Sequence, residues 1–166
     1  MELWDILDNN GNRTGKTIER GQPLRQDEYH LIVHVWIKNS NGEFLITKRT
    51  PNKKILPNMW ETTVGSAIAG EESFETVLRE VKEEIDIDLS RAKGKYLFRL
   101  KRQQHDFPDF IDVWLFNEDI DISKVKYQPE EVCRAIWANP NKIKDMMKLG
   151  EFADTFTYFE DLIKIR

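Results

Sequence analysis

Three glutamates at helical spacing mark the segment of the chain whose side chains could do chemistry. Glu80, Glu83 and Glu84 are three and four residues apart, so a helix would bring their carboxylates to one patch, where like charges destabilise an isolated helix. Oxygen ligands of this kind suit a hard divalent cation such as Mg²⁺ or Mn²⁺. A cation bound there would also help to ionise a bound water. The spacing indicates a metal site, and the alternative is the solvated face of a glutamate-rich helix.

The helix that must position these glutamates also has an apolar side. With Ser73 as its cap, the helix is predicted to run to about Ile85. An apolar stripe at helical spacing lies along it, formed by Phe74, Val77, Leu78, Val81 and Ile85. The stripe predicts that this helix packs on a core while its glutamates face away from that core.

Short segments rich in branched and aromatic residues, separated by Asn-, Gly- and Pro-containing turns, predict strands around this helix. They cover residues 2–7 with a short return strand, then 29–38, 43–49, 60–64, 96–102, 109–117 and 131–138. Two more helices are predicted at residues 141–148, entered through Pro140, and at residues 151–164. Strands in the middle with helices flanking them predict an α/β/α sandwich, formed by one domain spanning residues 1–166.

The segment of residues 65–87 resembles the Nudix box, G-x5-E-x7-R-E-U-x-E-E-x-G-U, in which U is aliphatic. The matching charged and glycine positions are Gly65, Glu71, Arg79, Glu80, Glu83 and Glu84. Asp86 stands where the family has its second glycine. Short segments across nearly the first ninety residues are similar to the Nudix subfamily related to isopentenyl diphosphate isomerase. The resemblance implies the Nudix fold, an α/β/α sandwich around a central mixed β-sheet.

The resemblance also implies a metal-dependent hydrolase that splits a nucleoside diphosphate linked to another moiety, by attack of water on phosphorus. Glu80, Glu84 and Glu83 would bind Mg²⁺ or Mn²⁺, helped by the backbone carbonyl of Gly65. Arg79 is expected to orient a glutamate, Glu83, through a bidentate pair.

Two roles stay open within this scheme. Glu71 is either a further metal ligand or part of an ion pair near the start of the helix. The general base must be a carboxylate, or occasionally a histidine, within reach of the metal-bound water. The candidates are Glu83 and Glu84 in the box and Glu130 and Glu131 outside it; a box glutamate is favoured, with Glu131 next. The alternative for Glu131 is an exposed position at the start of a strand.

Four residues outside the box are candidates for substrate binding. Arg49 ends a predicted strand and Lys53 lies in the loop after it, so both could hold phosphate oxygens. Trp60 could form a wall of the site, and His105 lies in a polar loop where substrate contacts are common. The alternatives are solvated surface for the lysine, a core position for the tryptophan and an inert loop position for the histidine.

Two other functions compete with the hydrolase. The isomerase has a catalytic cysteine in the segment that corresponds to residues 60–65, and this chain has no cysteine there. A catalytically inactive nucleotide-binding module is the second alternative, and Asp86 is the one sequence feature that favours it. Aspartate tolerates the positive φ that a glycine would adopt at a helix end, so activity is expected to be retained.

Composition limits the partners and the compartment. The 166 residues carry 25 basic and 29 acidic side chains, a net charge of −4, and no basic track of the kind that long nucleic acids require. No segment has the length of a membrane span and the first residues do not resemble a signal peptide. We therefore expect a cytoplasmic monomer or homodimer that acts on a small nucleoside diphosphate derivative.

Overall fold

A seven-stranded mixed sheet forms the centre of the computed structural model, which describes residues 1–103 and 107–166. The strands are β1 (Leu3–Leu7), β2 (Arg13–Glu19), β3 (His30–Lys38), β4 (Phe44–Arg49), β5 (Trp60–Glu61), β6 (Thr63–Ser66), β7 (Gly94–Arg102), β8 (Asp109–Asn117) and β9 (Val132–Ala138). The helices are α1 (Ser73–Ile85), α2 (Pro140–Lys148) and α3 (Phe159–Leu162), with 3₁₀ turns at Arg91–Lys93 and Ile122–Lys124. None of the described helices is long and apolar enough to cross a membrane.

The topology places two short strands at the centre of the sheet. β3 runs parallel to β8, which pairs antiparallel with β7 at one edge. β4 pairs antiparallel with β9 at the other side and meets β3 only at the end of their hairpin. Where β3 and β4 separate, β6 pairs with β3 and β5 pairs with β4. β1 and β2 form a separate two-stranded sheet.

Alternating side chains of the central strands build two cores, one on each face of the sheet. Val33, Val35 and Ile37 of β3 pack with the apolar side of α1. The intervening Trp36 faces the opposite core, together with Phe44 and the segment after α2. This arrangement confirms the predicted α/β/α sandwich with a mixed central sheet. It also fixes α1 on the sheet, so that its other side is available for a site.

Two local predictions were wrong, and both for reasons of tertiary contact. Ser73 does not cap α1: its hydroxyl accepts a hydrogen bond from the indole of Trp114 at 2.9 Å, and Glu72 forms a capping box with Glu75 instead. The closing helix predicted at residues 151–164 is reduced to Phe159–Leu162. The backbone of residues 151–153 pairs with Trp60 rather than with the next turn of a helix.

Candidate active site

A polar cleft of about 510 Å³ lies beside α1, at the end of β6. It is lined by Glu2, Arg20, Arg49, Lys53, Val64, Gly65, Ser66, Ile68, Arg79, Glu80, Glu83, Glu84, Gln128 and Glu131. The structure therefore brings together eight of the residues singled out from the sequence: Arg49, Lys53, Gly65, Arg79, Glu80, Glu83, Glu84 and Glu131. We take this cleft as the candidate active site.

Gly65 allows a glutamate of α1 to lie against the strand. β6 holds Gly65 opposite Val33 of β3, and the side chain of Glu80 crosses directly over its backbone. A Cβ atom at residue 65 would overlap the Cγ and Cδ atoms of Glu80. Glycine is needed here for close approach rather than for an unusual backbone angle.

Arg79 donates hydrogen bonds to the carboxylates of Glu71, Glu80 and Glu83. Its Nε and Nη2 atoms donate to the two carboxylate oxygens of Glu71, at 2.7 and 3.0 Å. Nη1 donates to Glu80 at 2.8 Å and to Glu83 at 3.2 Å, and Nη2 also donates to the carbonyl of Ser66 at 2.9 Å. The bidentate partner is thus Glu71, and the prediction that it would be Glu83 was wrong.

Glu71 forms the ion pair that the sequence left as one of two possibilities. Besides Arg79, its carboxylate accepts hydrogen bonds from the backbone N–H of Ile68 at 3.2 Å and from the hydroxyl of Thr76 at 2.9 Å. Burial by itself would raise the pKa of Glu71. The hydrogen bonds to its two oxygens outweigh that effect, so the pKa of Glu71 is lowered. Glu71 therefore links the loop before α1 to the arginine that holds Glu80 and Glu83.

The most buried carboxyl that lines the cleft, Glu84, has no cationic partner among the residues that the structure describes. It is 6% exposed and makes no ion pair with any described residue. Burial raises its pKa well above the usual value, and the charges of Glu61, Glu80 and Glu131 raise it further. Burial likewise raises the pKa of Glu80 to about 7, against the opposing effect of Arg79.

The donor set of the cleft fits a hard divalent cation. Glu84 offers buried and Glu80 partly buried carboxylate oxygens, whose charges are unfavourable without added positive charge, and Glu83 lies beside them. Across residues 1–103 and 107–166, no three His, Cys, Asp or Glu side chains are already arranged around one ion position. The carboxylates share the cleft without yet forming a chelate.

Two further cations that line the cleft, Arg49 and Lys53, form what we call the cationic wall, and each is already paired. Nη1 of Arg49 donates to Glu61 at 2.7 Å, and its Nε and Nη2 atoms donate to the carbonyl of Ile55 at 3.2 and 2.9 Å. Lys53 forms an ion pair with Glu131. Burial raises the pKa of Glu61, while Arg49 acts against this. The cationic wall therefore lines the same cleft as the glutamates of α1.

The end of α1 secures the loop that brings Glu131 to the cleft. Asp86 adopts the left-handed conformation, with φ of 55° and ψ of 36°, as expected for a residue in place of glycine. The carbonyls of Glu84 and Ile85, which have no partner within the helix, accept the backbone N–H groups of Gln128 and Lys126 at 2.9 and 3.2 Å. Asp86 also lies 2.7 Å from the ammonium of Lys82.

Trp60, a residue expected to bind substrate, lies elsewhere, and four residues in or near the cleft were not expected. Trp60 is 8% exposed and packs in the core beneath α2 and α3, so it does not line the cleft. His105 lies outside the described residues. Glu61, Glu2, Arg20 and Gln128 contribute to the cleft or its surroundings without having been anticipated. Glu61 follows Trp60 in a segment already noted for its resemblance, but nothing in the sequence pairs Arg20 with residues sixty positions away.

Comparison with known proteins assigns the family. Residues 28–157 match the NUDIX domain. An uncharacterized Nudix hydrolase of Listeria monocytogenes is 37% identical over 159 residues, which cover 94% of this chain and 90% of that protein. The crystal structure of a Deinococcus radiodurans protein has the same fold, with a TM-score of 0.77 and 23% identity over 98% of both chains. The chain therefore belongs to the Nudix family. Within that family it is a hydrolase.

The isomerase resemblance is also present but shorter. Isopentenyl-diphosphate Delta-isomerase of Paenarthrobacter aurescens is 30% identical over 93 residues, which cover 55% of this chain and 50% of that protein. Cys133, the single cysteine of the chain, lies exposed on β9 with its Sγ atom 3.6 Å from the carbonyl of Arg49, and it does not line the cleft. The residues of the cleft therefore match hydrolysis better than protonation of an alkene.

Proposed function

We propose that residues 1–166 form one catalytic domain, which hydrolyses the diphosphate bond of a nucleoside diphosphate linked to another moiety with the help of Mg²⁺ or Mn²⁺. The observation that carries this proposal is the buried carboxyl of Glu84. It lies beside Glu80 with no cationic partner among the described residues, in a cleft that Arg49 and Lys53 also line. Nudix hydrolases are generally pyrophosphohydrolases that use divalent metals, and this charge distribution supports the same chemistry here.

Glu80 and Glu84 would hold the cation, with Glu83 and the carbonyl oxygen of Gly65 as further ligands. A bound cation polarises the bridging phosphates, neutralises charge in the transition state and helps to ionise a water. Arg79 keeps the Glu80 and Glu83 carboxylates oriented while its other atoms hold Glu71 and Ser66. The arginine thus acts on the ligands rather than on the substrate.

The phosphate groups would bind between α1 and the cationic wall. Arg49, Lys53 and Arg20 line the cleft, and their charges complement a diphosphate. Two N–H groups of Arg49 remain after its contacts to Glu61 and Ile55. Lys53 would exchange its contact with Glu131 for a phosphate oxygen, which leaves the Glu131 carboxylate free to face a water.

Glu83 is our candidate for the general base, with Glu131 next. The side chain of Glu83 is about half exposed, and Arg79 holds one of its oxygens at 3.2 Å. The second oxygen is not engaged by any described residue, so it can accept a proton from water. Both carboxylates are on the cleft surface, where a geometry suited to proton transfer can form.

The test is a panel of nucleoside diphosphate derivatives, assayed with Mg²⁺ or Mn²⁺ in H₂¹⁸O, with isopentenyl diphosphate included. We expect metal-dependent release of a nucleoside monophosphate and incorporation of ¹⁸O into a phosphate product. Glu84→Gln should abolish turnover, and Glu83→Gln or Glu131→Gln should lower kcat by about 10²-fold or more, depending on which is the base. Glu130→Gln is the matched control, because the Glu130 side chain does not line the cleft.

Three results would contradict the proposal. Turnover that persists undiminished in chelator would exclude a metal role. Turnover of isopentenyl diphosphate to its isomer would favour the competing enzyme. Metal-dependent binding of a panel compound without any hydrolysis would favour a binding module.

A further inference from the structure

The N-terminal hairpin β1–β2 contributes to the cleft although it lies outside the matched Nudix segment of residues 28–157. The hairpin forms its own two-stranded sheet. The residues just before and just after it, Glu2 and Arg20, both line the cleft and form an ion pair at 2.8 Å. The position of the hairpin relative to α1 therefore decides where these two side chains lie in the cleft.

Asp5 and Arg13 hold the hairpin against the loop that precedes α1, and we call this pair the hairpin clamp. The Oδ2 atom of Asp5 accepts the backbone N–H of Gly70 at 2.8 Å and lies 3.1 Å from Nε of Arg13. Nη2 of Arg13 donates to the carbonyl of Glu71, and Nη1 lies 3.1 Å from the carboxylate of Glu72. The clamp thus contacts three consecutive residues at the entrance to the helix.

A backbone contact extends the same attachment. The N–H of Ala69 donates to the carbonyl of Leu3 at 2.7 Å. The loop that the hairpin holds is the one that carries Glu71, and Glu71 in turn grips Arg79 through two hydrogen bonds. Arg79 contacts Glu80 and Glu83. A continuous series of polar contacts therefore leads from the hairpin to the carboxylates of the site.

We propose that Asp5 and Arg13 are positioning residues for the active site: they fix the loop before α1 and thereby the orientation of Arg79 and its glutamates. This inference rests on the proposed function, because the affected glutamates are the proposed metal ligands. Each contact is partly exposed, with 41% of the Arg13 side chain and 21% of the Asp5 side chain accessible. The clamp acts through several joined contacts, since isolated exposed ion pairs contribute little.

The experiment compares Arg13→Ala, Asp5→Ala, Asp5→Asn and the double alanine variant in the full chain. Mn²⁺ binding is measured by titration, and amide hydrogen exchange is measured at Ala69 and Gly70. We expect each alanine variant to weaken Mn²⁺ binding about tenfold, at the lower end of the range for residues that orient ligands, and to speed exchange at Gly70 by about tenfold or more. Asp5→Asn keeps an oxygen for Gly70 and should preserve most of the protection.

Lys16→Ala is the matched control. Lys16 lies on β2, as Arg13 does. It makes no ion pair with any described residue and does not line the cleft. Its removal takes away the same charge and should leave both readouts unchanged. The effect of the double variant should be smaller than the sum of the two single effects, because residues of one network are not additive.

Wild-type Mn²⁺ affinity in both alanine variants would overturn the inference, as would unchanged exchange at Gly70 or equal effects in Lys16→Ala. If the wild-type protein itself takes up no Mn²⁺, the proposed function fails. In that case the carboxyl ¹³C chemical shifts of Glu80 and Glu83, which need no metal, decide the inference. Shifts that move in Arg13→Ala but not in Lys16→Ala support the clamp, and unmoved shifts overturn it. If Arg13→Ala does not fold, Asp5→Ala supplies the same readouts.

Discussion

Replacing Glu84 by glutamine should make the metal-free protein more stable while it removes metal binding. The glutamine side chain has the shape of a protonated glutamic acid but cannot ionise. Burial and the nearby Glu61, Glu80 and Glu131 raise the pKa of Glu84 well above its usual 4.5. A raised pKa means that the stability contributed by this group is fully present below pH 4.5 and is lost as the pH rises.

The magnitude follows from the pH interval. While the carboxyl stays protonated in the folded protein and ionises in the unfolded chain, each pH unit above 4.5 costs about 1.36 kcal/mol. Between pH 4.5 and pH 7 the limit is therefore about 3 kcal/mol. Glu84→Gln should thus be nearly as stable as wild type at pH 4.5 and more stable by up to about 3 kcal/mol at pH 7.

The assay is urea denaturation at several pH values, in chelator and again with saturating Mg²⁺. Binding at one hundred times the dissociation constant stabilises the folded wild-type protein by about 2.7 kcal/mol, and Glu84→Gln should gain nothing comparable. The advantage of the variant should therefore shrink or reverse when metal is added. A variant that is equal to or less stable than wild type in chelator at pH 7 would refute the reasoning. Glu130→Gln, at an exposed position that does not line the cleft, is the control for the substitution itself.

Three further predictions follow from individual contacts. Gly65→Ala should displace Glu80, because the new Cβ would overlap it; we expect destabilisation of about 1–3 kcal/mol and weaker Mn²⁺ binding, measured by denaturation and titration. Burial and the charge of Arg102 lower the pKa of His34 from 6.5 to about 3. The free energy of unfolding should therefore fall by up to about 5 kcal/mol as the pH is lowered from 6.5 to about 3. Denaturation of His34→Gln at several pH values should show a weaker dependence of stability on pH. Asp86→Gly should keep kcat within about twofold of wild type and change stability by less than about 1 kcal/mol, because relief of the left-handed conformation and loss of exposed ion pairs are both small; a melting curve and an activity assay check this.

Features of the structure that depend on the spacing of residues within one helix could be predicted from the sequence. The period of Val77, Val81 and Ile85 marks the buried side of α1, and all three are fully buried against the sheet. The glutamates at the intervening positions share one cleft for the same geometric reason. Trp60 shows the limit of such reasoning, because a tryptophan suits a substrate wall and a core equally well. The sequence of its own short strand does not show that α2 and α3 cover it.

Contacts between distant segments were not predictable. Arg20 enters the cleft because Leu3, Asp5 and Arg13 attach the hairpin to the loop before α1. Choosing Glu71 over Glu83 as the bidentate partner of Arg79 likewise required the path of that loop. Both partners have the right charge, and only their three-dimensional placement distinguishes them.

The two sides of α1 explain how the chain can keep an unfavourable carboxyl inside its site. Each fully buried Val or Ile stabilises the fold by roughly 1.5–3 kcal/mol, so Val77, Val81 and Ile85 together exceed the upper limit of about 3 kcal/mol for the cost at Glu84. The backbone carbonyls of Glu84 and Ile85 also accept hydrogen bonds from the loop before Glu131. These bonds hold the last turn of the helix in place although the environment of the Glu84 carboxyl is unfavourable. In the proposed metal site, a bound cation would offset the unfavourable burial of Glu84, which the apolar side of the same helix keeps in the cleft.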